Sequence, residues 1–150
     1  MSHWRWMLRI MGWMYIPLIG YVKPRLLVID AEKAVVRIRL RRRTKNHLKS
    51  MYFGALAVGA DVAAGLHAFY FSEQLGVKPS FAFKSVKGEF LKRATGHVLF
   101  TSTDGHVVEQ VVKTARETGE RQHAMVRVNA TVEGETVAIF DMEISVKIVN

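Results

Sequence analysis

The chain has 150 residues, 49% hydrophobic and 23% charged, which fits one globular domain with its own core rather than a disordered chain. It has no cysteine, so disulfides, thiolate metal sites and a cysteine nucleophile are excluded and nothing points to an oxidising compartment; the cytoplasm is the expected location. A net charge of +9 favours an anionic partner (nucleic acid, acidic lipid or a phosphorylated small molecule), with a solubilising surface as the plain alternative.

The pattern predicts a single domain over 1–150, with an N-terminal helix and connection over 1–24 and a core over 25–150. The first helix runs from about Trp4 to Trp13 and is expected to pack its Trp and Met residues on the domain. The uncharged run Ile10–Val22 is 13 residues and contains Pro17, too short to span a bilayer. Its basic start resembles a signal peptide but lacks a clear small-x-small cleavage site.

Arg25–Ile29 reads as a strand and residues 30–33 as a turn. Ala34–Arg42 alternates, with Val36, Ile38 and Leu40 on one face and Arg37, Arg39 and Arg41 on the other, the period of a half-buried strand. Met51 to about Glu73 is apolar on every side and reads as a helix buried nearly all round, ended by Gly76 and Pro79. Nine of the 21 residues from Met51 to Phe71 are Gly or Ala, which lets a sheet approach the backbone closely. This length also suits a membrane span, but a central Asp opposes insertion, and no transmembrane segment is expected.

Strands follow at Ser80–Phe90 and Thr95–Ser102. Asp104 is placed to cap a helix reaching Thr118, with Gly119 as its stop, although GHVVEQVV can also extend a strand. Two strands close the chain. Gln122, Ala124, Val126, Val128 and Ala130 form one apolar face, and Ala138, Phe140, Met142, Ile144, Val146 and Ile148 the other, joined by a turn near Glu133. The sum is an α+β architecture, a curved antiparallel sheet around one long helix. Its outer strands remain open to edge-to-edge dimerisation.

Asp61 is the only formally charged residue between Met51 and Phe71. A lone carboxylate in such a helix must be neutralised, solvated through a cleft, or used. The helix start near Tyr52, Phe53 and Gly54 presents free backbone amides to a negative oxygen, and Gly54 allows close approach. Asp61 lies seven residues beyond Gly54, a rise of about 10 Å, so the two cannot act on one group unless Asp61 faces the helix start of a second subunit.

The stretch NHLKSMYFGALAVGAD resembles the PaaI-like acyl-CoA thioesterases of the hot-dog fold. These carry an Asn, a His-Gly-Gly turn and an Asp in a small-residue helix. Asn46 and Gly54 stand at family spacing from Asp61, and VKGEFLKRATGHVLFTSTDG is similar to the family's strand pair. The likeness covers about residues 25–149. It is closer to a hot-dog branch known only as a domain of unknown function, with an aromatic-Gly-small turn and a Trp/Pro-rich N-terminal helix, as in WMYIPLIG.

The resemblance implies hydrolysis of an acyl-CoA thioester by a homodimer or dimer of dimers. Asp61 would be general base or nucleophile, the Phe53 and Gly54 amides would polarise the carbonyl, and Asn46 would orient water or substrate. His47 and Tyr52 would border the substrate. No cofactor is implied beyond coenzyme A as part of the substrate, and no metal. The family's His-Gly is replaced by Tyr52-Phe53, which narrows or blocks the acyl pocket.

Each residue also has a plainer reading. On that reading Asp61 is a satisfied structural acid, Asn46 a turn residue, His47 a solvated loop histidine, and His67 a hydrogen-bonded core histidine. Lys87, Lys92 and Arg93 form one candidate phosphate surface, and Arg37, Arg39, Arg41, Arg42, Arg43 and Lys45 another. No nucleic-acid motif accompanies them, so nucleic acid is an unlikely partner. A non-catalytic acyl-binding protein and a membrane-surface or nucleic-acid adaptor are the competing functions. No GxSxG occurs, which argues against a serine hydrolase.

Overall fold

In a computed structural model, residues 1–149 are described. They form helices α1 (Ser2–Ile10), α2 (Pro17–Val22), α3 (Phe53–Gln74) and α4 (Gly105–Thr118). The strands are β1 (Arg25–Ile29), β2 (Ala34–Ile38), β3 (Lys78–Phe90), β4 (Val98–Ser102), β5 (Gln122–Val132) and β6 (Glu135–Val149). The strands make one six-stranded antiparallel sheet in the order β1-β2-β4-β5-β6-β3. It curves around α3, the hot-dog arrangement expected.

α3 is apolar on every side because every side is covered. Ala55, Leu56, Ala60, Val62, Ala63, Ala64, Leu66, Ala68 and Phe71 are all buried. By length and composition it could cross a membrane, but here the sheet wraps it. Its small residues act as expected: a Cβ on Gly59 would lie 2.3 Å from the Phe100 ring of β4, so only glycine allows this contact. His67 is a core histidine. Its Nε2 donates to the Asp30 carbonyl at 2.9 Å, and its ring stacks on Phe71. Burial lowers its pKa and keeps it neutral.

β1, the Asp30 turn, α4 and the β5–β6 hairpin fall where the pattern puts them. Gly119 takes the left-handed conformation that ends α4. Asp104 sits at the N-cap position, but its carboxylate does not cap the helix. It accepts the Arg127 backbone N–H at 2.7 Å and so ties α4 to β5. β2 stops at Ile38, not Arg42. The Leu40 amide is drawn off to His97 Nδ1 and the Arg41 amide to the Thr44 hydroxyl, which turns the chain away from the sheet.

β3 contains a bulge between Phe83 and Ser85. Above it Phe81 and Phe83 pair with Val146 and Ile144 on the helix-facing side; below it Val86, Gly88 and Phe90 pair with Met142, Phe140 and Ala138 on that same side. Were Lys84 to pair as an ordinary strand residue instead of bulging, Lys87 and Glu89 would take those inward positions.

The N-terminus differs most from expectation. Instead of one helix over 4–13, α1 runs into a π-helical turn at Met11–Tyr15, and Pro17 then starts α2. The two helices fold back on each other at Gly12 and Gly20, backbone to backbone. A Cβ on Gly20 would stand 2.3 Å from the Gly12 carbonyl oxygen. Trp4 and Leu8 pack inward, but Trp6 and Trp13 are exposed, contrary to the expected docking of all the tryptophans. Gly20→Ala is expected to push this hairpin apart and cost about 1–3 kcal/mol, read as a lower chemical-denaturation midpoint.

Candidate active site

Asp61 stands on one stripe of α3 with Gly65 and Phe69. This stripe lines an apolar cavity of about 680 Å³. The opposite wall comes from Phe81 and Phe83 of β3, and the roof from Met7, Met11, Tyr15 and Ile16 of the N-terminal hairpin. Among the described residues the Asp61 carboxylate makes no hydrogen bond and no ion pair. Loss of hydration alone raises its pKa from 3.8 to about 6. Of the three fates open to a lone acid, neutralisation by an internal base is absent among the described residues. What remains is a carboxylate that opens to a cavity and titrates close to neutrality, the condition of a general base.

The start of α3 is built separately. Tyr52 N–H donates to the Thr44 carbonyl and Met51 N–H to the Ala94 carbonyl, both at 2.8 Å, which fixes where the helix begins. The Phe53 and Gly54 amides, in the first turn, make no hydrogen bond among the described residues, so a pair of donors faces outward. Gly54 is not open as expected. The Tyr52 ring lies over it, where a Cβ would meet that ring at 2.5 Å. Tyr52 is itself half exposed and packs at a tilt against Phe53, ring centroids 4.8 Å apart, and Phe53 meets Phe90 edge-on at 6.5 Å between centroids.

Asn46 Oδ1 accepts from the Leu48 amide (2.9 Å), the Ser50 amide (3.2 Å) and the Ser50 hydroxyl (3.2 Å). The oxygen is therefore engaged in the turn, and only the Nδ2 amino group is free to contact water or substrate. His47 is exposed in the same loop.

The three basic residues of β3 and its following loop are not brought to Asp61. Lys87 lies near Glu89, Lys92 pairs with Glu135, and Arg93 is exposed with no ion pair among the described residues. The basic side chain that does line the Asp61 cavity is Lys78, at the other end of β3. Lys78 and the aromatic wall Phe69, Phe81 and Phe83 were not singled out from the sequence. Their clue was present: Phe81 and Phe83 repeat at strand period beside a helix of small residues.

Within one chain, the α3 start lies near Phe90 while Asp61 lies near Phe81 and Phe83. The two halves of the expected site therefore sit at different points along one edge strand.

Solved structures share this architecture. A candidate thioesterase from Shewanella oneidensis superposes with a TM-score of 0.86 at 15% identity, covering 98% of this chain and 99% of that one. A Pseudomonas aeruginosa protein of unknown function, suggested to be a thioesterase, gives 0.76 at 21% identity over 95% of both chains. A thioesterase from Haemophilus influenzae gives 0.70 at 10% identity, covering 93% of this chain and 87% of that one. At these identities the likeness shows the fold. No curated protein matches the chain. A family model described as a domain of unknown function, DUF4442, matches residues 5–148. With that match spanning nearly its whole length and with a thioesterase-like hot-dog fold, the chain belongs to the DUF4442 family.

Proposed function

We propose that the protein is an acyl-CoA thioesterase whose site is shared between two subunits. The observation that carries this is the unpaired Asp61 carboxylate in the wall of an acyl-sized apolar cavity. β3 supplies the geometry. It is an edge strand, and every residue from Lys84 to Phe90 is exposed. Val86, Phe90 and Leu91 at that strand end are exposed, and Phe90 meets Phe53 of the α3 start. Antiparallel pairing with a second copy, centred near Lys87, covers these apolar groups. It also brings the Phe53 and Gly54 amides of one subunit toward Asp61 of the other.

In the reaction Asp61 takes a proton from water as the oxygen attacks the thioester carbonyl carbon. The carbonyl oxygen gains charge against the Phe53 and Gly54 amides. The C–S bond then breaks, and the departing thiolate recovers the proton from Asp61. Direct attack by the carboxylate gives an anhydride that water opens, with the same net balance.

The test is free-thiol release from a panel of acyl-CoAs. Release by the wild type that vanishes in Asp61→Asn is the expected result; release that persists in the variant overturns the mechanism. The Tyr52 ring over Gly54 favours a second reading, an acyl-CoA binding protein without turnover. It predicts saturable binding and no thiol release from any substrate. The pairing is tested on its own by Val86→Glu with Phe90→Glu. This pair is expected to sediment as a folded monomer with at least a hundredfold less activity, because two carboxylates cannot be buried unpaired against a second copy. A dimer retained at full activity overturns the β3 pairing.

A further inference from the structure

The hairpin formed by α1, the π-turn and α2 leaves six consecutive residues exposed: Trp13, Met14, Tyr15, Ile16, Pro17 and Leu18, all apolar or aromatic. Trp13 is 78% exposed and Tyr15 73%. Such a run is not left in water without a use. The Gly12–Gly20 contact holds it as a narrow rigid tip, and hydrogen bonds from Arg5 Nε to the Leu26 carbonyl and from Arg43 to the Tyr21 carbonyl tie the hairpin to the domain.

Charge says what covers the tip. The first 60 residues hold twelve Lys and Arg against two carboxylates, while the remaining 90 hold ten against eleven. The whole positive surplus thus belongs to the hairpin, β1, β2 and the segment that leads from β2 to α3. A groove of about 1000 Å³ runs between them and is lined by Arg5, Arg9, Lys23, Arg25, Arg37, Arg39, Arg41 and Arg43, with no acidic residue in its wall. None of these eight pairs with a carboxylate among the described residues, and the Nε of Arg37 is buried with no hydrogen-bond partner. Burial and the neighbouring Arg39, Arg25 and Arg41 weaken the hold of Arg37 on its proton, a sign of cations crowded without counter-ions.

We infer that the N-terminal hairpin is a docking element for an anionic lipid bilayer surface, with its aromatic tip in the interface and the arginine groove over the headgroup phosphates. Helices of nine and six residues are too short to span and suit a surface position. Trp and Tyr favour the headgroup level, and clustered cations are drawn to acidic lipid. A second copy is the poorer occupant, since tip-to-tip association places two uncompensated arginine grooves side by side. The inference is independent of thioester hydrolysis.

The test uses the full chain and sedimentation with vesicles of phosphatidylcholine, with or without phosphatidylglycerol. Binding is expected only with phosphatidylglycerol, together with a blue shift of tryptophan emission, and is expected to weaken about tenfold or more as salt is raised. Trp13→Ser with Tyr15→Ser and Leu18→Ser should abolish it. So should Arg39→Glu with Arg41→Glu, with unchanged circular dichroism in both. Equal binding to neutral vesicles, or binding retained in either variant, overturns the inference. So does a wild type that ignores vesicles, whether it binds inorganic pyrophosphate in solution or loses an oligomer when the tip is changed to serine.

Discussion

Asp61→Asn is expected to abolish thioester hydrolysis, losing a factor of about 10² to 10⁴ in kcat, and yet to make the protein more stable at neutral pH. The reason for the gain is the cost of keeping a charge on a desolvated carboxylate. The wild-type acid titrates at about 6 folded against 3.8 unfolded. Between these values the folded state holds the extra proton, so stability falls as pH rises from about 4 to about 6 and then levels off. The interval, at about 1.36 kcal/mol per pH unit, comes to about 3 kcal/mol. Asparagine does not ionise and escapes it. Its advantage should be absent below pH 4, grow through pH 6 and hold above, on the order of 5–10 °C in Tm. His67 works in the opposite direction, since burial depresses its pKa and its contribution fades as pH falls below its unfolded value of 6.5. Taking the difference between variant and wild type cancels His67 and leaves Asp61 alone. Activity depends on the ionised form, so kcat should rise with pH through about 6 and then stay flat. A variant no more stable than wild type at pH 8 would mean that something neutralises the acid.

Phe53→Pro gives the second large effect. Phe53 is the first residue of α3, where proline is tolerated because its missing N–H has no helical partner, and Tyr52 before it already has extended backbone with ψ 138°. The substitution deletes one amide donor and keeps the helix. Loss of one such donor should lower kcat about 10² to 10³-fold with little change in Tm. Mixing the two inactive proteins adds a sharper result. In a hybrid of one Asp61→Asn and one Phe53→Pro subunit, one site unites an intact Asp61 with intact Phe53 and Gly54 amides. Activity should reappear on subunit exchange; mixtures that stay inactive exclude a site shared between subunits.

The legibility of the sequence follows the range of the interactions. β1 was readable because Pro24 and the Asp30 turn bracket it, and α3 because nothing but a covered helix tolerates that run of Ala, Gly and Leu. The isolation of Asp61 could be read from neighbours within the helix alone. The N-terminal hairpin could not. Its return depends on Gly12 meeting Gly20 in space, and a six-residue helix around Pro17 and Gly20 looks like a connection when read locally. Asn46 was legible as polar and near the helix start. Its oxygen turning back onto Ser50, and the Tyr52 ring settling on Gly54, are choices of side-chain rotamer that spacing does not encode. Lys87 and Lys92 drew notice as charges, while Lys78, at the strand's opposite end, lines the cavity because of how β3 crosses α3.

The bulge in β3 decides which changes in length that strand can absorb. Its upper half builds the wall facing Asp61, and its lower half offers Val86 and Phe90 to whatever joins the edge. Removing Lys84 would restore simple alternation with Phe83 and Val86 still facing the helix, so one lost codon would spare both faces, whereas losing Lys84 and Ser85 together would set Phe83 beside Val86 and turn Lys87 and Glu89 toward the helix.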